Sequence, residues 1–321
     1  MKRFRSILYV SEASVAQDVA IARAVSLAQS NQADLTVIDV IPAITAGIGM
    51  PPGGPALSEL QAARVADRHQ ALESLVAPYG QSSSIRLEVR VGKRFLEVIR
   101  AVLRDAHGLV IKPAENPDWV DRLFGSDDMH LLRKCPSPIW LTKPEEKPNY
   151  DCIVAAVDFD PADLESVEQG LNREILELST ALALSDLAEL HLVHAWDAPE
   201  AGFVRLWADN PDAAEMNVIE GERSRHRSGM DLLSQVLRRQ SGDEAYDYLS
   251  PRLHLPQGRA VKVIPALVNR LKADLVVMGT IARTGIPGFI IGNTAEAILE
   301  QLKCSVLAVK PPGFVSPVAQ D

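Results

Sequence analysis

The sequence predicts an α/β protein of two tandem domains, each a doubly wound parallel sheet. Three observations carry that expectation: one order of segments written twice, strand-like runs alternating with helix-period stretches, and a strand with no polar face. A repeat is the first feature to seek, because it fixes the folding unit. Each half holds about 150 residues, one domain's worth. The expected domains are 1–144 and 151–312, with a linker at 145–150 and a tail at 313–321 that reads as unpacked.

The first half runs "ILYV" (7–10), an amphipathic stretch at 16–28, "DLTVIDVI" (34–41), a long segment, "IRLEVRVG" (85–92), "FLEVIRAVL" (95–103), "LVIK" (109–112) and "PIWLTKP" (138–144). The second repeats that order with "IVAAVD" (153–158), a stretch at about 162–183, "ELHLVHAW" (189–196), a long segment, "RLHLPQG" (252–258), "VKVIPALVNRL" (261–271), "LVVMG" (275–279) and "SVLAVKP" (305–311). Phe95, Val98, Ile99, Val102 and Leu103 fall on one face of a helix, as do Val263, Leu267, Val268 and Leu271. "LVVM" (275–278) has no alternation, as a strand covered on both faces requires. Strand, helix and strand in alternation with such strands means a parallel sheet. Its ligands belong outside the carboxyl ends of the strands, where strand order reverses. That directs attention to Asp158, Ala195–Trp196 and Gly279.

Composition excludes several classes of partner. A net charge of -9 offers no field for nucleic acid or an anionic membrane. The apolar run after "MKRFR" is too short for a secretory segment, and no run reaches a membrane span. Cys135, Cys152 and Cys304 form no metal-spacing motif and read as reduced, buried thiols. The expectation is a cytoplasmic protein.

"GTIARTG" (279–285), "GNTAE" (292–296) and "MHLLRKCPSPIWLTKP" (129–144), with Asp158 closing a first strand, resemble the universal stress protein family in its tandem two-domain form. The resemblance spans about residues 3 to 312. It implies the family's adenine-nucleotide α-hydrolase-like fold. It also implies that "PIWLTKP" and "SVLAVKP" pair as edge strands, joining the halves as a pseudo-dimer; a further homodimer stays open. The family's nucleotide binders show Gly, two residues, Gly, nine residues, then Gly-Ser/Thr. Here Gly279, Ala282, Gly292, Asn293 and Thr294 keep that spacing, with Ala282 for the second glycine and Asn293 for the hydroxyl residue. The implied ligand is ATP or a related adenine nucleotide, with Mg if bound. It would be held by Asp158, Ala195, Gly279, Ala282, Arg283, Gly292, Asn293 and Thr294.

Each residue also has a plainer reading. Asn293 with Glu296 three residues on makes a capping-box variant, and "DFDPADLE" is an ordinary helix start. His194 reads as a core or rim histidine. In the first half Lys112-Pro113 replace the glycine, Pro113 offers no N–H, and Asp127 and Asp128 oppose a bound phosphate. The strand there leads into "SEAS", without the Asp, so nucleotide binding is expected only in the second half. The long insertions at 41–57 and 197–219 either roof a cavity or, with more weight, pack on the neighbouring domain. An apolar cavity for a lipid-like molecule, or a scaffold without ligand, is the alternative function. No catalytic residues stand out; the enzymatic reading reduces to slow ATP hydrolysis without a visible general base.

Overall fold

The computed structural model describes the chain apart from residues 1–3, 46–56, 81–84, 116–124, 144–145, 164–169, 281–291 and 320–321. The chain divides into two compact units at Pro148–Asn149. The first unit contains β1 (Ser6–Val10), α1 (Asp18–Asn31), β2 (Asp34–Ile41), α2 (Leu57–Val76), β3 (Ile85–Val91), α3 (Arg94–Asp105), β4 (Leu109–Pro113), α4 (Ser126–Lys134) and β5 (Ile139–Thr142). The second contains β6 (Cys152–Ala156), α5 (Leu171–Asp186), β7 (Glu189–Val193), α6 (Ala201–Val204), α7 (Pro211–Ser241), α8 (Asp243–Leu249), β8 (Arg252–His254), α9 (Ala260–Leu271), β9 (Leu275–Gly279), α10 (Asn293–Leu299) and β10 (Ser305–Val309).

Within each unit the strand pairs are parallel. The first unit's order is β3-β2-β1-β4-β5, and the second's is β8-β7-β6-β9-β10. Strand order therefore reverses between β1 and β4, and again between β6 and β9. The α/β expectation is met. Every residue of β4, β6 and β10 is buried, as strands covered on both faces must be. On α3 the buried residues include Val98, Ile99 and Val102, and on α9 Leu267 and Val268, the faces expected from their spacing.

The repeat extends to backbone geometry that the side chains do not favour. Helices α1 and α5 end at Gln32 and Leu187, and α3 and α9 end at Ala106 and Lys272, all left-handed at φ 51°, 58°, 51° and 52°. None is a glycine, although that conformation strains a residue with a Cβ. Inside α9, Pro265 cannot donate to the carbonyl of Val261. The Gln301 side-chain amide supplies that bond instead, at 3.1 Å.

Of the stretch placed at 162–183, the described part forms α5 from Leu171, with Gly170 as its N-cap, and 164–169 lie outside the described residues. In the described part of the 197–219 insertion the large apolar side chains do not all turn inward. Phe203, Leu206, Trp207 and Met216 are exposed, because its buried anchor consists of Trp196, Ala198 and Ala201 with Val218 and Ile219 packed on it. Most of the 41–57 insertion lies outside the described residues. The tail shows no helix or strand over 313–319.

Leu187 is exposed as well as left-handed, so its side chain contributes little that glycine would lose. Leu187→Gly is expected to stabilise the protein by about 1 kcal/mol, less glycine's extra chain entropy. A rise in the urea unfolding midpoint would show it; a fall would mean that the Leu187 side chain packs in solution.

Candidate functional site

The candidate site lies at the carboxyl ends of β6 and β9, the point of strand-order reversal in the second unit. Ala156 pairs with Met278, so Asp158 and Gly279 leave adjacent strands almost level. The N–H of Val157 donates to the carbonyl of Val193 (3.0 Å), carrying β6 past its end with Asp158 exposed. Asn172 braces that residue twice. Its Oδ1 accepts from the Asp158 N–H at 3.1 Å, and its Nδ2 donates to the Asp158 carbonyl at 2.9 Å. Ala195, half-buried, follows the end of β7. The N–H of Gly292 donates to the carbonyl of Thr280 at 2.8 Å, which brings the start of α10 back to the end of β9. Thr280 is itself engaged, because the buried Lys310 ammonium donates to its hydroxyl at 2.5 Å.

Asp158, Gly279 and Gly292 are thus brought to one end of the sheet. Asn293 and Thr294 are exposed in the first turn of α10. Ala282 and Arg283 lie outside the described residues. Asn293 is not a cap: the N-cap is Gly292, which has no side chain to cap with, and Asn293 is already helical. Gly279 has a packing role of its own. A Cβ there would come within 2.3 Å of Leu171 Cδ2. That methyl is the movable end of its side chain, so Leu171 covers Gly279 without locking it.

The first unit fills the matching place with charge. Lys112, fully buried, donates from Nζ to Asp128 Oδ1 at 2.7 Å and lies 3.5 Å from Glu12 Oε2 and 3.6 Å from Glu115 Oε1. Arg94 Nη1 reaches Glu12 Oε2 at 2.5 Å and Glu115 Oε1 at 3.6 Å. Asp128 Oδ2 accepts the N–H groups of Glu115 (2.8 Å) and Gly125 (3.1 Å), satisfying a donor at the start of α4. Gly125 leaves room for Glu115, whose Cβ would lie 2.7 Å from a Cβ at that position. Burial pushes the Glu12 carboxyl up, but Lys112, the Ser14 hydroxyl and Arg94 outweigh it and hold Glu12 below the usual range. Glu115 is raised, by burial first and by Asp128, Asp127 and Glu12, against the pull of Lys112.

Glu12 and Arg94 escaped the sequence reading, and strand register explains why. Ser11 donates its N–H to Ile38 as Val157 does to Val193, so Glu12, and not a missing Asp, stands level with Asp158. Counting from the strand and helix starts, Arg94 matches Ala260, Lys112 matches Met278 and Asp128 matches Ala295. The second unit keeps one carboxylate and replaces the rest of the matched set with apolar side chains.

Histidines line the other side of the second unit. His194 Nε2 and His226 Nδ1 share a proton at 2.9 Å, both rings being buried, and Phe159 stacks on His194 at 3.8 Å. Phe159 fits against α7 because Gly229 has no Cβ, which would come to 2.2 Å from its ring. The core reading of His194 holds. A second pair joins His191 Nδ1 to His254 Nε2 at 2.8 Å. Burial lowers the pKa of His191 against the upward pull of Glu189; burial, His191, Arg270 and Arg252 lower that of His254. Among the described residues no cluster of three or more His, Cys, Asp or Glu side chains suits a metal, and no helix is long and apolar enough to cross a membrane. A cavity of about 460 Å³ opens at the amino ends of β1–β3; Ser6, Asp34, Thr36, Arg86 and Asp105 give it a polar wall unsuited to an acyl chain.

Fold and strand-end geometry define the class: a duplicated, doubly wound α/β protein with one site position per copy. The model of the universal stress protein family matches residues 3–143 and 149–310, and the chain belongs to that family. Universal stress protein E of Salmonella typhi is 31% identical over 250 residues, 76% of this chain and 75% of that one. The protein of that name from Photorhabdus laumondii is 29% identical over 328 residues, 99% and 98% of the two chains. A Pseudomonas aeruginosa structure described as a universal stress protein superimposes with a TM-score of 0.69 at 25% identity, covering 97% of this chain and 95% of the other.

Lys112→Met leaves Asp128 buried without its ammonium partner, and the expected cost is about 3–5 kcal/mol. Lys112→Met/Asp128→Ala copies the second unit's residues and is expected to recover more than half of that loss; urea unfolding of the three proteins measures both. The His191–His254 pair sets a pH dependence. Since the folded pKa values of His191 and His254 are lowered, their stabilisation is present above the ordinary value of about 6.5 and is lost as pH falls through the folded values. Unfolding midpoints at pH 7.5 and about 5.5 should fall with pH, and His191→Gln/His254→Gln should flatten the difference.

Proposed function

We propose that the chain is a stress-response binding and regulatory protein in which only the second domain takes a small ligand, an adenine nucleotide. Two tandem domains of one family fit an intramolecular pseudo-dimer. The observation that carries the reading is the contrast at matched positions. In the first unit a carboxylate at the end of β1 is drawn into a buried ion cluster; in the second the matching Asp158 is exposed at the end of β6. Asp158 would accept from the adenine amino group, oriented through the Asn172 brace on its backbone. Gly279, Gly292, Asn293 and Thr294 would face the phosphates, with Ala282 and Arg283 of the intervening loop. A magnesium ion, if present, would be held largely by the phosphates, since the described residues supply no metal cluster of their own.

A second reading, a scaffold without ligand, draws on Leu171. Its side chain lies where a phosphate would approach Gly279. The two readings separate in a calorimetric titration of the full chain with Mg-ATP and with AMP. Binding at millimolar affinity or better, weakened in Asp158→Ala and strengthened in Leu171→Ala, is the expected result. If the wild type and Leu171→Ala both fail to bind any adenine nucleotide, the scaffold reading replaces this one.

A further inference from the structure

The described part of the insertion after β7 displays apolar surface that is exposed. Phe203, Leu206, Trp207 and Met216 are 62%, 69%, 82% and 70% exposed, well above what packing against the protein would leave. The first three follow one another at i, i+3 and i+4. Helical turns hold them, with the Leu206 N–H on the Phe203 carbonyl and the Trp207 N–H on that of Val204, so they share one side. Arg205 pairs with Asp212 and Glu215 of α7, pinning this turn beside the helix that carries Met216. Underneath, Ala201 belongs to the buried cluster with Trp196 and Ala198. The surface is therefore anchored from below, and its large side chains are turned outward.

We propose that this face is a docking site for a basic amphipathic helix of another protein. Its charge selects the partner. Between Asp197 and Met216 stand Asp197, Glu200, Asp209, Asp212 and Glu215 against the single cation Arg205. Arg205 is already occupied by two of those carboxylates. Farther along α7, Arg223 and Arg225 pair with Glu220 and Glu222 and leave the acidic rim unchanged. An apolar face interleaved in sequence with a surplus of carboxylates suits a helix with leucine-like side chains on one face and lysine or arginine at its margins. A second copy of this chain would bring the same acidic rim against itself, and an anionic bilayer would repel it. The proposal does not depend on nucleotide binding at the strand ends.

The probe is a synthetic, dye-labelled helix with leucine on one face and lysine on the other, titrated against the full chain by fluorescence anisotropy. The expected result is binding that weakens with added salt and weakens roughly tenfold or more in Leu206→Ser/Trp207→Ser. Glu200→Lys/Asp209→Lys, which leaves the apolar side chains in place, should weaken it as well, and a twin peptide with glutamate for lysine should not bind. Circular dichroism and melting of both variants should match the wild type, because every altered side chain is exposed. Unchanged peptide binding in Leu206→Ser/Trp207→Ser overturns the proposal. So does a wild-type dimer in sedimentation that this variant dissolves, which would assign the face to a second copy. Binding to phosphatidylcholine vesicles lost in the same variant would assign it to lipid.

Discussion

A lysine with no exposed surface must carry its counter-charges into the protein with it, and Lys112 organises the first unit around that demand. Burying an ammonium costs several kcal/mol unless carboxylates and hydrogen bonds accompany it. Asp128 answers from the first turn of α4, Glu12 from the end of β1 and Glu115 from just beyond β4. Those three segments converge where a doubly wound sheet ordinarily receives its ligand. Asp128 also satisfies the N–H groups of Gly125 and Glu115, the work that a bound anion would otherwise do at a helix start. The first unit thus contains its own anion, covalently supplied. Its failure to show the family's loop residues has a physical counterpart: the space and the donors are already used.

The second unit reaches the same backbone with a different solution. Met278, Ala260 and Ala295 replace the matched charges, and Asp158 is exposed where Glu12 is buried beside Arg94 and Lys112. Around Asp158, apolar and aromatic contacts take over the task of fixing the strand ends. Leu171 lies on Gly279, and Phe159 lies between His194 and α7. This half is firm beneath the strand ends and yielding above them. A methyl group is easier to displace than an ion cluster, because moving it breaks no charge pairing and costs only local packing.

Much of the fold was legible because it depends on short-range pattern. "LVVM" and "LVIK" announced central parallel strands, and the faces of α3 and α9 were written in residues three and four apart. The duplicated order then fixed the architecture twice over. The site was legible only in part. Asp158 and Gly279 stood out because strand ends were identifiable, but Glu12 was passed over because its role depends on register counted from the strand, two residues beyond its end. The Lys112–Asp128 pair joins residues 16 apart in sequence, and nothing local signals it. Asn293 was misread as a cap because a helix start cannot be located to one residue from composition alone. The insertion after β7 was left open for a different reason. Its apolar content is plain, yet sequence does not say whether such residues face inward or outward.

That last distinction bears on what a duplicated fold can do. In a single domain, a loop beside the ligand end of the sheet must serve both ligand and partner. Here one copy of the strand-end site has been converted into structure, held by the ions around Lys112, and the other is left with an exposed carboxylate. The stability gained in the first copy comes from charges that would obstruct an anion; the openness of the second comes from removing those same charges. The left-handed termini at Gln32, Ala106, Leu187 and Lys272 show the backbone holding to one plan through this divergence, even at a steric cost in each copy. At the strand ends, what changed between the halves is carried by side chains at a handful of matched positions. Function in this chain is therefore best understood as a difference between two units of one strand order, and the residues that make the difference are the ones whose exchange should convert one kind of unit towards the other.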